Sequence, residues 1–479
     1  MSTFGEMNKS NSDSSWLAIT LDRRVSQPLQ AQLAEGIRRL VREGRLGSGD
    51  RLPASRLLAG ELSVSRLTVV TAYDQLVSEG YLVGRRGAGM FIAPELSALP
   101  QPPLAPEETQ PLPRPEPLRA FDSAAPDVTG FPHRHWARLF DQVWRAPEPA
   151  LLARIDPLGW APLRTAIAQH LRDWRGIRCA PSQIVITSGL REAVELVSRT
   201  ALEPGDCVAV EEPGHALLRS AFAETGLTVR PVAVDADGFD PELLGDEIRA
   251  VAVTPSRQFP LGMTLPLARR LRLLGWAAET GGWVIEDDFD GEYRYRGQPL
   301  PAMMSLDEAG RVIYAGSFSK VMFSGLRLGF LAIPAALEGP TRHLVTQRGA
   351  QAALVAQPVL ARFMEEGLFS THLRRMRRLY AQRQRAMVAA LERRCEGLLA
   401  VEDVPSGMHL VAGLAPELAR RISDVEASER CAAVGLRMRP LSGFFAGAPT
   451  RQGLVLGFAA FNEVEIDESV ARMAAVLRG

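Results

Sequence analysis

Gly316-Ser317-Phe318-Ser319-Lys320, continued as Val321-Met322-Phe323-Ser324-Gly325-Leu326-Arg327-Leu328-Gly329, sets a lysine just after two hydroxyls and seven residues before an arginine. Strand-like apolar runs flank it, residues 312–314 before and 328–332 after. Hydroxyls and the planar donor fork of an arginine suit a phosphate group, and an amine beside them suits covalent attachment to a carbonyl carbon. Composition sharpens the reading. Of 55 basic residues only Lys9 and Lys320 are lysines, and Lys9 lies in a polar leader. If the folded chain uses a lysine for chemistry, it is Lys320.

Working outward, further apolar runs stand at 184–187, 207–210, 251–253 and 283–285, alternating with longer helical patterns. That alternation predicts an α/β domain around a mainly parallel sheet. The first run leads through Ser188-Gly189-Leu190 into a helix over 191–200. There glycine lets backbone amides approach an anion at the positive end of a helix, although an ordinary strand-to-helix turn reads the same way. The segment Glu211-Glu212-Pro213-Gly214-His215 places a histidine either as a stacking ring or as a rim residue. The run 283–285 ends in Glu286-Asp287-Asp288-Phe289-Asp290. An acidic cluster at a strand's carboxyl end marks where α/β ligands bind; a solvated acidic loop is the plainer alternative.

Toward the N-terminus, nine prolines between Pro94 and Pro117 predict an extended spacer without helix or central strand. It divides the chain into residues 16–93, a linker 94–117 and residues 118–479. In the first part, apolar spacing predicts a helix over 28–43, then helices over 54–61 and 65–79 joined by Leu62-Ser63-Val64. Ser65 caps the last of these. Val69, Ala72, Tyr73 and Leu76 face inward, leaving Arg66, Thr68 and Thr71 outside. Strands at 81–83 and 90–92 then flank a tip, Gly84-Arg85-Arg86-Gly87-Ala88-Gly89. A helix-turn-helix followed by a basic hairpin is an α+β winged helix, with its second helix suited to the major groove. Residues 21–93 hold 11 arginines against 7 acids, a local excess of four in a chain of zero formal charge. A winged helix serving only dimerisation or protein contacts is the alternative.

Bulk properties narrow the classes. At 479 residues and 46% hydrophobic, the chain is long enough for two or three ordinary globular domains. Met1 to Ser15 lack a signal peptide's apolar core, and no run reaches a membrane span's length. The expectation is a cytoplasmic protein that does not engage a membrane. Cys179, Cys207, Cys395 and Cys431 lie far apart without metal-ligand spacing, so they are expected to be buried thiols, with no metal site.

The segment from Arg51 to Ala93, RLPASRLLAGELSVSRLTVVTAYDQLVSEGYLVGRRGAGMFIA, resembles the winged helix of the GntR family of bacterial regulators. The resemblance implies binding to double-stranded operator DNA through Arg56, Ser65, Arg66, Thr68, Thr71, Arg85, Arg86 and Gly87. Leu67 stands where such helices usually carry a polar residue, and either packs or meets a thymine methyl. Beyond the spacer, DPLGWAPLRTAIAQHLRDWRGI from Asp156, TPSRQFPLGMTLPLARR from Thr254 and the Asp287 and Lys320 motifs resemble the MocR/GabR subfamily. That resemblance covers nearly everything after about residue 20. It implies a fold-type-I aminotransferase-like domain, pyridoxal 5'-phosphate as cofactor, and a homodimer recognising paired DNA sites. Lys320 would form the Schiff base, and Asp287 would pair with the pyridinium nitrogen. Ser188, Gly189, Leu190, Ser317, Ser319 and Arg327 would cradle the phosphate, and His215 would lie over the ring.

Three positions depart from the subfamily's pattern. Phe289 replaces a tyrosine that bonds the cofactor's phenolic oxygen, unless Tyr293 or Tyr295 substitutes. Arg257 replaces a histidine. Val455 stands where aminotransferases carry the arginine that grips a substrate carboxylate, and Arg451 is off register. The expectation is therefore a ligand-responsive regulator without physiological turnover. It would sense the cofactor itself, or an amine or amino acid, through an aldimine on Lys320. The alternatives are a working aminotransferase with a DNA-binding appendage and a scaffold that binds no cofactor.

Overall fold

The computed structural model describes residues 19–98, 117–123, 125–153, 156–296, 301–349, 352–402, 404 and 406–479. The chain divides into two compact units, Met1–Pro115 and Glu116–Gly479.

In the first unit, α1 (Leu29–Arg42), α2 (Ser55–Glu61) and α3 (Arg66–Ser78) precede the antiparallel pair β1 (Leu82–Arg85) and β2 (Gly89–Ile92). Apolar residues at helical spacing, Leu33, Ile37 and Leu40 of α1, meet Leu58 of α2 and Val69, Tyr73 and Leu76 of α3 in one core. Ser65 caps α3, its hydroxyl accepting from the Thr68 amide at 3.0 Å. The hairpin is longer than the expected strands: Arg85 pairs with Gly89, so only Arg86, Gly87 and Ala88 form the tip. Residues 94–98, expected to be spacer, instead form the 3-10 turn Pro94–Ala98, and Leu96 packs against the core. Proline fits the first position of such a turn because its missing N–H would have no partner there. The rest of the expected spacer, 99–116, lies outside the described residues.

The second unit is built on an eight-stranded sheet. In spatial order it holds β3 (Ile184–Thr187), β10 (Gly329–Ala332), β9 (Val312–Ser317), β8 (Trp283–Asp288), β7 (Ile248–Val253), β4 (Cys207–Glu212), β5 (Thr228–Asp235) and β6 (Gly238–Phe239). Strands β9, β8, β7, β4 and β5 are parallel neighbours, as expected, while β10 runs antiparallel to both β9 and β3. Apolar cores cover the sheet, as near-continuous hydrophobic strands require. A second, antiparallel sheet follows, ordered β11 (Leu399–Val401), β12 (His409–Leu414), β14 (Gly453–Gly457) and β13 (Arg439–Pro440). Among the described residues no helix is long and apolar enough to cross a membrane, and no His/Cys/Asp/Glu cluster is suited to a metal. The cysteines are free; Cys207 is half-buried rather than buried, because it opens β4 near the strand's exposed end.

Candidate functional site

The carboxyl ends of β8 and β9 open into a cavity of about 660 Å³. Strand β8 runs on through Asp288, so the acids at 286–288 are strand residues and alternate between its faces. Glu286 and Asp288 point to one side. Glu286 accepts the amides of Met303 and Met304 at 3.0 Å, and Asp288 meets Arg175 at 2.5 Å and the Tyr314 hydroxyl at 2.6 Å. Asp287 points the other way, into the cavity. Asp290, beyond the strand, also reaches the cavity wall, where it pairs with Arg257 at 3.4 Å.

Asp287 Oδ2 is buried and has no hydrogen-bond partner. Burial, with Asp288 and Asp290 adding repulsion and Lys320 opposing, pushes its pKa up to about 7. A carboxylate left this way is poised for a buried N–H donor such as a protonated ring nitrogen. Lys320, on the turn of helix after β9, is half-buried in the same wall. Burial lowers its pKa, Arg439 presses it further down, and Asp290, Asp122 and Asp287 pull it back. An amine easier to deprotonate is a better nucleophile.

Ser317, Ser319 and Arg327 line the cavity beside Gly189 and Leu190. Gly189 has φ +133, accessible to glycine, and a Cβ there would meet nothing within 4 Å, so the space before the helix Leu190–Ala201 is open. Gly316 lies flat against Phe330, where a Cβ would fall 2.3 Å from the ring. Arg327 itself adopts a left-handed conformation, φ 51, as it turns into the cavity wall. This group of donors around open space fits a phosphate. Ser188 departs from the expected set. It does not line the cavity, and its amide donates to Glu192 at 2.5 Å because the side chain one helical turn on reaches back to it.

His215 lines the cavity, its ring tilted 30° against Phe259 at 5.1 Å. Burial first, then Lys320 and other cations, lower its pKa to about 4, so the ring is neutral and free to stack. Phe289 also lines the cavity, and neither nearby tyrosine reaches it. The hydroxyl of Tyr293 donates to the Val321 carbonyl at 3.4 Å and that of Tyr295 to the Gly407 carbonyl. Among the lining residues that the sequence reading did not name are His409 and Arg439. His409 opens β12, and Arg257 donates to its carbonyl at 2.6 Å. Neither belongs to a motif; each arrives from the second sheet, which the sequence reading did not delineate.

In the winged-helix unit, Arg56, Ser65, Arg66, Thr71, Arg85, Arg86 and Gly87 are exposed. Thr68 is half-buried, its hydroxyl hydrogen-bonded to that of Ser65 at 2.8 Å. Arg85 lies over the Phe91 ring at 4.7 Å, which aims it along the hairpin. Leu67 is 73% exposed, so it does not pack within the unit. These side chains form a cationic surface at the start of α3 and along the hairpin, of the kind that meets phosphates and base edges.

Comparison with known proteins agrees with both halves. Residues 29–92 match the model of bacterial regulatory proteins of the gntR family, and residues 148–472 match that of aminotransferase class I and II. The chain is 37% identical to the probable rhizopine catabolism regulatory protein MocR of Rhizobium meliloti, over 94% of each chain. It is 36% identical to the pyridoxine biosynthesis transcriptional regulator PdxR of Corynebacterium glutamicum, over 93% of this chain and 95% of that one. Among solved structures it resembles Pyrococcus horikoshii kynurenine aminotransferase in complex with PMP. The TM-score is 0.67 at 27% identity, over 75% of this chain and 90% of that one.

Proposed function

The chain belongs to the MocR/GabR subfamily of GntR regulators, and from that premise we propose that its aminotransferase-like unit is the sensor that controls its binding to DNA. It is a transcriptional regulator that binds DNA through the winged helix, and its cofactor is pyridoxal phosphate. The sensing, the effector class and the residue roles below are our reading.

The observation that carries it is the sorting of four acids. Glu286, Asp288 and Asp290 are each held through at least one oxygen, by backbone amides, Arg175 or Arg257, whereas Asp287 faces the cavity with no such partner at all among the described residues. Asp287 holds a proton at the ring nitrogen. Ser317, Ser319, Arg327 and the amides at the start of the helix Leu190–Ala201 bind the phosphate. Lys320 offers its amine to the aldehyde, and His215 covers the ring. When bound, the cofactor supplies an aldehyde that condenses reversibly with amines. An effector amine therefore competes with Lys320, and any difference in its affinity for two arrangements of the protein shifts their populations. The subfamily resemblance supports a homodimer acting in the cytoplasm on paired DNA sites.

The test is the visible spectrum of the protein beside Lys320→Ala, before and after borohydride. A borohydride-sensitive band that requires Lys320 is expected, with operator affinity changing when an amine alters it. A colourless protein that takes up no added pyridoxal phosphate overturns the reading. Rapid turnover of an amino acid with a keto acid would instead make the chain an aminotransferase that carries a DNA-binding unit.

A further inference from the structure

Val455, which by the resemblance to aminotransferases stands in place of a carboxylate-binding arginine, is buried in β14. It packs with Phe444 and Leu441, against Phe259. Taken alone, this strand leaves the cavity without an anion clamp. The register of the second sheet changes that result. Strand β13 pairs antiparallel with β14, and Arg439 stands directly opposite Val455. Directly opposed residues of an antiparallel pair project to the same face, with their Cβ atoms about 5 Å apart. The cavity wall agrees: Phe259, Phe444 and Arg439 all line it.

We infer that Arg439 is the anion-binding residue of the effector site, so that the effector is an amine carrying a carboxylate or sulfonate rather than a simple amine or polyamine. This inference rests on the sensor reading above. Three further observations support it. The Arg439 side chain makes no hydrogen bond or ion pair among the described residues, and the residue is exposed and lines the cavity. Of the two acids that line the cavity, Asp290 pairs with Arg257, and Asp287 is assigned above to the ring nitrogen. Lys320 repels it rather than pairing with it, and the Arg439 charge likewise helps keep the His215 and His409 rings neutral. With Arg327 assigned to the cofactor phosphate, Arg439 is the lining cation that has no anion. A guanidinium fork matches a planar carboxylate by two parallel hydrogen bonds and also accepts a sulfonate. A diamine would bring a second positive charge against Arg439 and is disfavoured.

The experiment uses the full-length, cofactor-loaded protein and the visible band as a binding readout. Alkylamines, diamines, α- and ω-amino carboxylates and aminosulfonates of matched length are titrated to half-saturation, with calorimetry as an independent measure. The wild type should bind at least one anionic series about 10- to 100-fold more tightly than the matched alkylamine, the range expected of one charge-assisted hydrogen-bonded pair. Arg439→Gln should erase that preference and leave alkylamine binding within about twofold. Arg439→Lys should recover part of it. Arg451→Gln should leave it unchanged, since Arg451 pairs with Glu402 away from this cavity. The carboxylate and sulfonate arms tell the two anions apart. A preference that survives Arg439→Gln, or a wild type that favours alkylamines or diamines, overturns the inference while leaving the cofactor reading intact. If Arg439→Gln fails to fold, Arg439→Lys carries the same comparison. A wild type without any Lys320-dependent band removes both readings together.

Discussion

The arginines on the surface of the winged helix and those buried in the larger unit are one residue type in two opposite employments. Arg56, Arg66, Arg85 and Arg86 are exposed on the helices and hairpin of the small unit. Arg175, Arg257, Arg270 and Arg383 are buried in the large one. Each buried guanidinium is tied to acids or carbonyls. Arg270 donates to Leu265, Pro301 and Pro255 at 2.7–2.8 Å, and Arg383 pairs with Asp127 at 2.9 Å. Five donors in a rigid fork let arginine satisfy several buried acceptors at once, which a lysine does less well. A chain nearly without lysine can therefore use one side chain both as outward charge for DNA and as internal bracing. The difference is burial rather than composition.

The sharpest way to break this contrast is to remove one internal brace. Arg175→Met leaves Asp288 buried without its cation and should cost about 3–5 kcal/mol of stability by denaturant melts. Adding Asp288→Asn should recover part of it, and a loss below about 1 kcal/mol would mean the pair is not a brace.

His215 tests burial by pH. Its pKa lies near 4 in the fold against 6.5 when free, so the unfolded chain binds the extra proton first as pH falls. The wild type should thus lose up to about 3 kcal/mol relative to His215→Phe between pH 6.5 and 4. Parallel stability curves for the two proteins would show that the ring is not shielded.

On the outside, Arg85→Ala and Arg86→Ala should each weaken DNA binding about tenfold without unfolding the domain. Each should also lower the slope of log affinity against log salt by about 1, because one phosphate fewer is neutralised. An unchanged slope would remove the wing from the phosphate interface. The smallest effect belongs to Leu67→Ala, about 1 kcal/mol or less. It should be confined to duplexes selected from a random pool that carry thymine at one position, and uracil in place of that thymine should abolish it.

Much of this was legible along the chain. The three helices and hairpin of the small unit follow from apolar spacing, a serine cap and a basic turn. The expected strand runs reappear as β3, β4, β7, β8, β9 and β10, because strands buried on both faces need continuous apolar residues. Besides β5 and β6 at the edge of the large sheet, what was illegible came from the second sheet. Its strands β11 and β13 are two or three residues long, too short for a periodicity to declare itself. Ser188 stands apart from Gly189 and Leu190 for a related reason: a motif names the turn but not which of its residues lines the cavity.

The sequence by itself determined that Lys320 is the lysine available for chemistry, that acids follow the strand beginning at Trp283, and that a cationic winged helix precedes a larger α/β unit. These are properties of neighbouring residues, set by local spacing and by the period of helix and strand. Only the tertiary structure decided which of four acids faces the cavity without a partner, that Tyr293 and Tyr295 are spent on carbonyls, and that Arg439 stands opposite Val455. Those are facts of strand register and burial. Register is settled by which distant segments pair, and a shift of one residue would turn every side chain to the other face.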